Sequence, residues 1–323
     1  MRRIGRALAA AIGFVALGGA PAGAQDFPSR NVTIVVGFAP GGFVDILARL
    51  IGQKLSQRLG RSVVIENKAG ASGNIAHRTV ATAEPDGQTL LAASTSLAIN
   101  ERLFKNKGYA AADLVPISIS ASIPEMLAVN PNRPEKNLQE FVATAKQRGQ
   151  AITFGSAGIG SGSYIAAEYF FRFVAGIPAL HVPYSGGGTA IAAAISNHVD
   201  VVAVAMAGAV EPIRAGMLRG LGVAMDKRVR ALPDVPTYDE NGYAGFTAAA
   251  WAGFFAPAKT DPQIVRRLNT LIGEILNEPE ILQRLNAIGF EPIHSDQPAA
   301  EALFAAEIQK WGRMVESIGA EGK

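Results

Sequence analysis

The residues best suited to chemistry in this sequence are glycines and hydroxyl residues that follow short apolar runs. Phe38-Ala39-Pro40-Gly41-Gly42 follows Val32–Gly37, Gly70-Ala71-Ser72-Gly73-Asn74 follows Ser62–Glu66, and Ser94-Thr95-Ser96 follows Thr89–Ala93. Further on, Gly155–Ser163 (GSAGIGSGS) follows Ala151–Phe154, and Tyr184-Ser185-Gly186-Gly187-Gly188 follows Leu180–Val182. A strand, a glycine loop and a helix in series leave backbone N–H groups unpaired and present the positive end of the helix dipole. Glycine lets that backbone come close to a ligand, and serine hydroxyls add donors that rotate to suit an oxygen. The chemistry is non-covalent binding of an anion, such as a carboxylate, without Lys or Arg. One such loop alone is a tight turn; several in two sets point to a binding cleft.

Other chemistries are poorly supplied. The chain has no cysteine, so a thiolate metal site and a thiol nucleophile are excluded. His77, His181, His198 and His294 are scattered and form no metal-ligand spacing. Neither a metal nor a cofactor is expected. Gly155–Ser163 lacks the Lys-Ser/Thr ending of a phosphate-binding loop, and no serine sits in a G-x-S-x-G elbow. An enzyme of α/β-hydrolase type using the same cleft is the disfavoured alternative. Asp45 falls in the first turn of a helix, where its charge suits the dipole, a structural role. Tyr164 and Tyr184 adjoin glycine loops and either line the cleft or pack in the core. Trp251 and Phe254-Phe255 read as core, and His181 as a hydrogen-bonded core residue.

The elements that must position these loops alternate. VTIVVG, SVVIE and the runs at 89–93, 151–154, 180–182, 199–205 and 221–224 read as buried strands. Leu47, Leu50, Ile51, Leu55 and Leu59 lie on one face of a helix that ends at Gly60. Helices are also expected over 75–83, 164–174, 189–197, 262–276 and 298–318. Alternation of this kind implies α/β structure with parallel sheets covered on both faces. In such sheets ligands bind beyond the carboxyl ends of the strands. The early and late sets of loops imply two lobes with the cleft between them.

The full sequence of 323 residues carries a net charge of +3, from 30 basic and 27 acidic residues. Residues 1–24 read as a secretory signal, with Arg2, Arg3 and Arg6, an uncharged run over Ala7–Ala20, and Ala22-Gly23-Ala24 before the cut. Removing that segment takes three Arg and no acid, which leaves 27 basic against 27 acidic residues. No basic surplus remains to steer the chain to nucleic acid or lipid. Without cysteine no lipid anchor forms at the cleavage site, so a free periplasmic protein, acting as a monomer, is expected.

At its loops the chain resembles the substrate-binding proteins of tripartite tricarboxylate transporters, the Bug family. The resemblance rests on Phe27-Pro28-Ser29-Arg30, Phe38-Ala39-Pro40-Gly41-Gly42 with Asp45, and Val64-Ile65-Glu66-Asn67-Lys68. It continues through Ala83-Glu84-Pro85-Asp86-Gly87, Gly155-Ser156-Ala157-Gly158, His181-Val182-Pro183-Tyr184 and Leu232-Pro233-Asp234-Val235-Pro236-Thr237. It implies a type II-like periplasmic binding protein whose two lobes, each a mostly parallel sheet flanked by helices, close on the ligand like a hinge. The expected division is 25–123 with 224–323 for the first lobe and 124–223 for the second. The implied function is capture of a small carboxylate and its delivery to integral membrane transporter subunits; delivery to a sensor kinase is the variant. By match, Phe38, Ala39, Pro40, Gly41, Gly42 and Asp45, with Ser94 and Thr95, serve the first lobe. Ser156, Ala157, Gly158, Ser161, Ser163, Tyr164 and Tyr184 serve the second. Many relatives carry His at position 164, Lys or Arg at 185 and an acid near 204; here these are Tyr164, Ser185 and Val204. With fewer charges in the pocket, a dicarboxylate or aromatic carboxylate is favoured over an amino acid.

Overall fold

The computed structural model describes residues 27–320. The expected secretory signal over 1–24 lies outside them. The first elements are β1 (Val32–Val36), α1 (Phe43–Leu59), β2 (Val63–Asn67), α2 (Asn74–Ala81), β3 (Thr89–Ser94), α3 (Thr95–Leu103) and β4 (Leu114–Val129). Next come α4 (Leu138–Arg148), β5 (Ile152–Ser156), α5 (Gly162–Tyr169), β6 (Ala179–Pro183), α6 (Gly187–Ile195), β7 (Val201–Ala205) and α7 (Ala207–Arg214). The chain finishes with β8 (Arg219–Val223), β9 (Ala249–Pro257), α8 (Pro262–Leu276), α9 (Pro279–Ala287), β10 (Glu291–Pro292) and α10 (Gln297–Ser317).

The strands form one mixed sheet in the order β2-β1-β3-β9-β4-β7-β5-β6, with β8 and β10 also paired to β4. The outer strands run parallel, β1 with β2 and β3, and β5 with β6 and β7. These are the short β-branched runs read as parallel strands from the sequence. The seam between the two parallel sets is antiparallel and was not anticipated. It consists of β9 against β3 and β4, and β4 against β7 and β8. The long strand β4 belongs to both sets. Its residues up to Pro124 pair with β9, and from Glu125 it pairs with β7. Residues 117–123 alternate Ile or Ala with Ser118, Ser120 and Ser122, but Pro116 and Pro124 bracket that run and an apolar stretch follows Glu125, so no single pattern marks 114–129 as one strand.

Two lobes follow from this topology, and helices cover both faces. Val32, Ile34 and Val36 of β1 enter one core, while Val35 enters the other, as the period of a strand requires. The first core takes side chains of α1, α6, α7 and α8. The second takes side chains of α2, α3, α4, α5 and α10. In α1 the expected apolar face is buried at Leu47, Ile51, Leu55 and Leu59, and Gly60 ends the helix at φ 64°. Trp251, Phe254 and Phe255 lie in the core as read, on β9. Among the described residues no helix is long and apolar enough to cross a membrane.

Candidate functional site

Every parallel strand hands its chain to a helix at its carboxyl end. Several of those helices start at one cavity. Gly42, Phe43 and Val44 bring the start of α1, and Ser94 and Thr95 the start of α3. Ser161, Gly162 and Ser163 bring the start of α5, Gly187 that of α6 and Gly208 that of α7. Helix starts carry partial positive charge and unpaired N–H groups, so five of them concentrate positive potential in one place. None of the residues lining the cavity is Lys, Arg or His.

Local hydrogen bonds hold the loops in shape. Ser94 accepts from the Ser96 N–H at 3.4 Å and caps α3. Ser161 caps α5, accepting from the Tyr164 N–H at 3.2 Å while its hydroxyl donates to the Gly158 carbonyl at 2.7 Å. Its oxygen also lies 3.0 Å from that of Ser163. Ser156 accepts from the Gly158 N–H at 3.2 Å and meets His181 Nε2 at 2.7 Å. The two loop sets touch directly. The Ala39 N–H donates to the Ser185 carbonyl at 3.0 Å, and the Gly160 N–H donates to Ser72 Oγ at 3.1 Å. A side chain on Gly188 would begin 2.7 Å from the Pro40 carbonyl oxygen, so this contact requires bare backbone.

Of the residues singled out in the sequence, Phe38, Gly42, Ser94, Thr95, Ala157, Ser161 and Ser163 line the cavity. Ala39, Pro40, Gly41, Ser156 and Gly158 lie in the same loops but off the lining; Ala39 is in the contact between the lobes. Asp45 is 3% exposed and faces its own loop. It accepts from the Gly41 N–H at 3.0 Å, from Arg49 Nε and Nη2 at 2.9 Å and from Asn67 Nδ2 at 2.9 Å. Burial pushes this carboxyl up, but the bonds from Arg49, Gly41 and Asn67 outweigh it and hold the group below its ordinary value. Tyr164 packs away from the cavity, with its ring 4.4 Å from His181 and 6.4 Å from Phe154 between centroids. Tyr184 is half-buried behind the second loop set, its ring edge against Gly155.

Glu125 is the functional candidate that the sequence reading missed. It lines the cavity, is 4% exposed, and its Oε2 is buried without a hydrogen-bond partner. Burial pushes its carboxyl up to about 8. It sits within β4, in the stretch Ile123-Pro124-Glu125-Met126, where no glycine loop or helix start draws attention. A lone acid in an otherwise uncharged strand was the available signal. Ile191, Ala205 and Gly208 were likewise not singled out and are brought in by α6, β7 and α7.

The molecule has known relatives. The family described as the tripartite tricarboxylate transporter family receptor (TctC) matches residues 47–320. BugT of Bordetella pertussis is 34% identical over 322 residues, covering 98% of this chain and 98% of its own. Among solved structures, the R. palustris protein Rpa4515 with adipate is 31% identical, with a TM-score of 0.89, and the match covers 92% of this chain and 100% of that one. MatC (Rpa3494) of Rhodopseudomonas palustris with bound malate is 33% identical, with a TM-score of 0.83, covering 90% and 100%. Agreement of this extent in sequence and in fold means that the chain belongs to the tripartite tricarboxylate transporter receptor family.

Proposed function

We propose that this protein is a periplasmic receptor that captures a small carboxylate between its lobes and delivers it to membrane subunits of a tripartite transporter. The observation that carries this reading is the convergence of five helix starts on a cavity without a cationic side chain. Such a site stabilises an anion through fixed dipoles and N–H groups, so the balanced charge expected once residues 1–24 are removed is no obstacle. Adipate and malate in two family structures support a carboxylate, and a dicarboxylate in particular. An aromatic carboxylate is the other class favoured. The proposed ligand contacts are Phe38, Gly42, Ser94, Thr95, Ala157, Ser161 and Ser163, with Ala39–Gly41, Ser156, Gly158 and Tyr184 shaping the loops. The proposed lobes are 25–123 with 224–323, and 124–223. The change of partner along β4, from β9 to β7 between Pro124 and Glu125, supports that division. Receptors of this family hand over ligand and do not convert it, and the chain acts as a monomer.

The test is a titration of the mature protein with aliphatic and aromatic mono- and dicarboxylates, read by calorimetry and by melting temperature. A ligand that binds only the folded state raises the melting temperature by mass action. Gly42→Asp is the informative variant. Gly42 has extended geometry at the N-cap of α1, and its Cβ position is clear of other atoms to 3.7 Å. Aspartate is a good N-cap, so the variant folds. Its carboxylate lies at the cavity and repels an anion, so affinity falls at least a hundredfold. Unchanged carboxylate affinity in Gly42→Asp would place the ligand elsewhere.

A further inference from the structure

The cavity contains one group that anion binding does not explain. A carboxylate ligand among helix starts has no use for a carboxylate on the wall, yet Glu125 lines that wall. Its Oε2 is buried and has no partner. A Cβ built on Gly162 would stand 2.9 Å from Glu125 Oε1 and 2.8 Å from Thr95 Oγ1, so the acid and the hydroxyl face one another across the first residue of α5. The groups packed round Glu125 offer no counter-charge. From α3 comes Thr95, from α5 Gly162, and from the segment after β8 the phenol of Tyr238, which burial and Glu125 keep neutral. A buried carboxylate without a cation is costly, and neutralising the group removes the cost. Neutral, it becomes an O–H donor, as buried carboxylic acids do in other sites.

We propose that Glu125 is a specificity residue, and that its neutral carboxyl group donates its O–H to the second carboxylate of a dicarboxylate ligand. The inference rests on the carboxylate-receptor reading above. The first carboxylate takes the helix starts, and the second meets Glu125 and Thr95 at the junction of the two lobes. Charged acceptors strengthen such a bond to about twice that of a neutral pair. No proton is exchanged with solvent during binding near neutral pH, since Glu125 is already protonated and both ligand carboxylates are already ionised. Burial places its protonation midpoint in the free protein at about 8, and a bound anion raises it further. Diacid affinity is therefore constant from pH 6, where both ligand carboxylates are ionised, to about pH 8 and falls tenfold per pH unit above it, until the midpoint of the complex is reached.

Calorimetric titration with a C4–C6 dicarboxylate series and matched monocarboxylates, between pH 6 and 10, tests this. Wild type should prefer diacids over monoacids at pH 7 and lose that preference above pH 8. Glu125→Gln, which keeps a donor of similar shape, should hold diacid affinity within about threefold and lose the pH dependence. Glu125→Leu should bring diacids down to monoacid affinity. Thermal unfolding without ligand checks that both variants are folded. A diacid affinity independent of pH in wild type, or one abolished in Glu125→Gln, overturns the proposal. Tight binding of amino carboxylates that is lost in Glu125→Gln also overturns it, because it shows an ionised Glu125 pairing with an ammonium. Failure of every carboxylate to bind wild type overturns the receptor reading itself, which is a separate result.

Discussion

Asp45 and Glu125 are both buried carboxyl groups, 3% and 4% exposed, close to the same cavity. Their surroundings drive them apart. Asp45 receives Gly41, Arg49 and Asn67, and stays ionised well into acid. Glu125 receives no donor on Oε2 and is pushed up to about 8. A carboxylate with its lone pairs filled is scaffolding, because nothing remains to offer a ligand. A carboxyl left unfilled carries an energetic cost that persists only where something outside the chain relieves it. Burial alone does not separate the two, and the inventory of partners does.

The largest expected effect breaks the scaffold side. Asp45→Ala leaves the Gly41 N–H without its acceptor and Asn67 Nδ2 with the Phe38 carbonyl alone, and should cost about 2–3 kcal/mol in urea unfolding. Glu125→Leu removes an unpartnered polar group and should change stability by less than about 1 kcal/mol, or raise it. Equal losses for the two variants would dissolve the contrast.

A pH titration of stability sharpens it. The free protein holds a proton on Glu125 up to about pH 8, whereas an unfolded glutamate releases it near 4.5. The folded state therefore binds more protons between those values. Stability falls as pH rises from 4.5 to 8, by at most about 1.4 kcal/mol per unit. Glu125→Gln should flatten that slope. Buried His77 works in the opposite direction. Burial, with Lys107 nearby, holds it down to about 3 from 6.5, so its share of stability is complete above 6.5 and drains as pH falls toward 3. A wild-type slope between pH 6.5 and 8 that survives in Glu125→Gln would show that another group is responsible.

Gly162→Ala crowds Thr95 and Glu125 from the same side. It should lower carboxylate affinity about tenfold, for about 1 kcal/mol of stability. The smallest effect belongs to Tyr164→Phe. Its ring packs on His181 and Phe154, so loss of the hydroxyl should change affinity by less than threefold and stability by less than about 0.5 kcal/mol. A large loss of affinity would return Tyr164 to the ligand.

The local units of this fold were legible because each is short and self-punctuating. Val32–Val36 is β-branched, Gly41-Gly42 turns the chain, Leu47 to Leu59 repeat at helical spacing, and Gly60 ends the helix. Ser94 and Ser161 could be read as caps and loop hydroxyls because a cap acts within three residues. The sequence by itself therefore determined the βα units, the loops that bear the N–H groups, and the resemblance they carry. Tertiary structure decided how those units meet. It placed β4 and β9 antiparallel between the parallel sets, a pairing of segments more than a hundred residues apart that no local pattern encodes. It turned Asp45 inward to Arg49 and Asn67 and Tyr164 against His181, and it swung Glu125 onto the cavity wall. Hydrogen-bond satisfaction is a property of neighbours in space. Which acid is scaffold and which is site is settled only when the chain has closed around both.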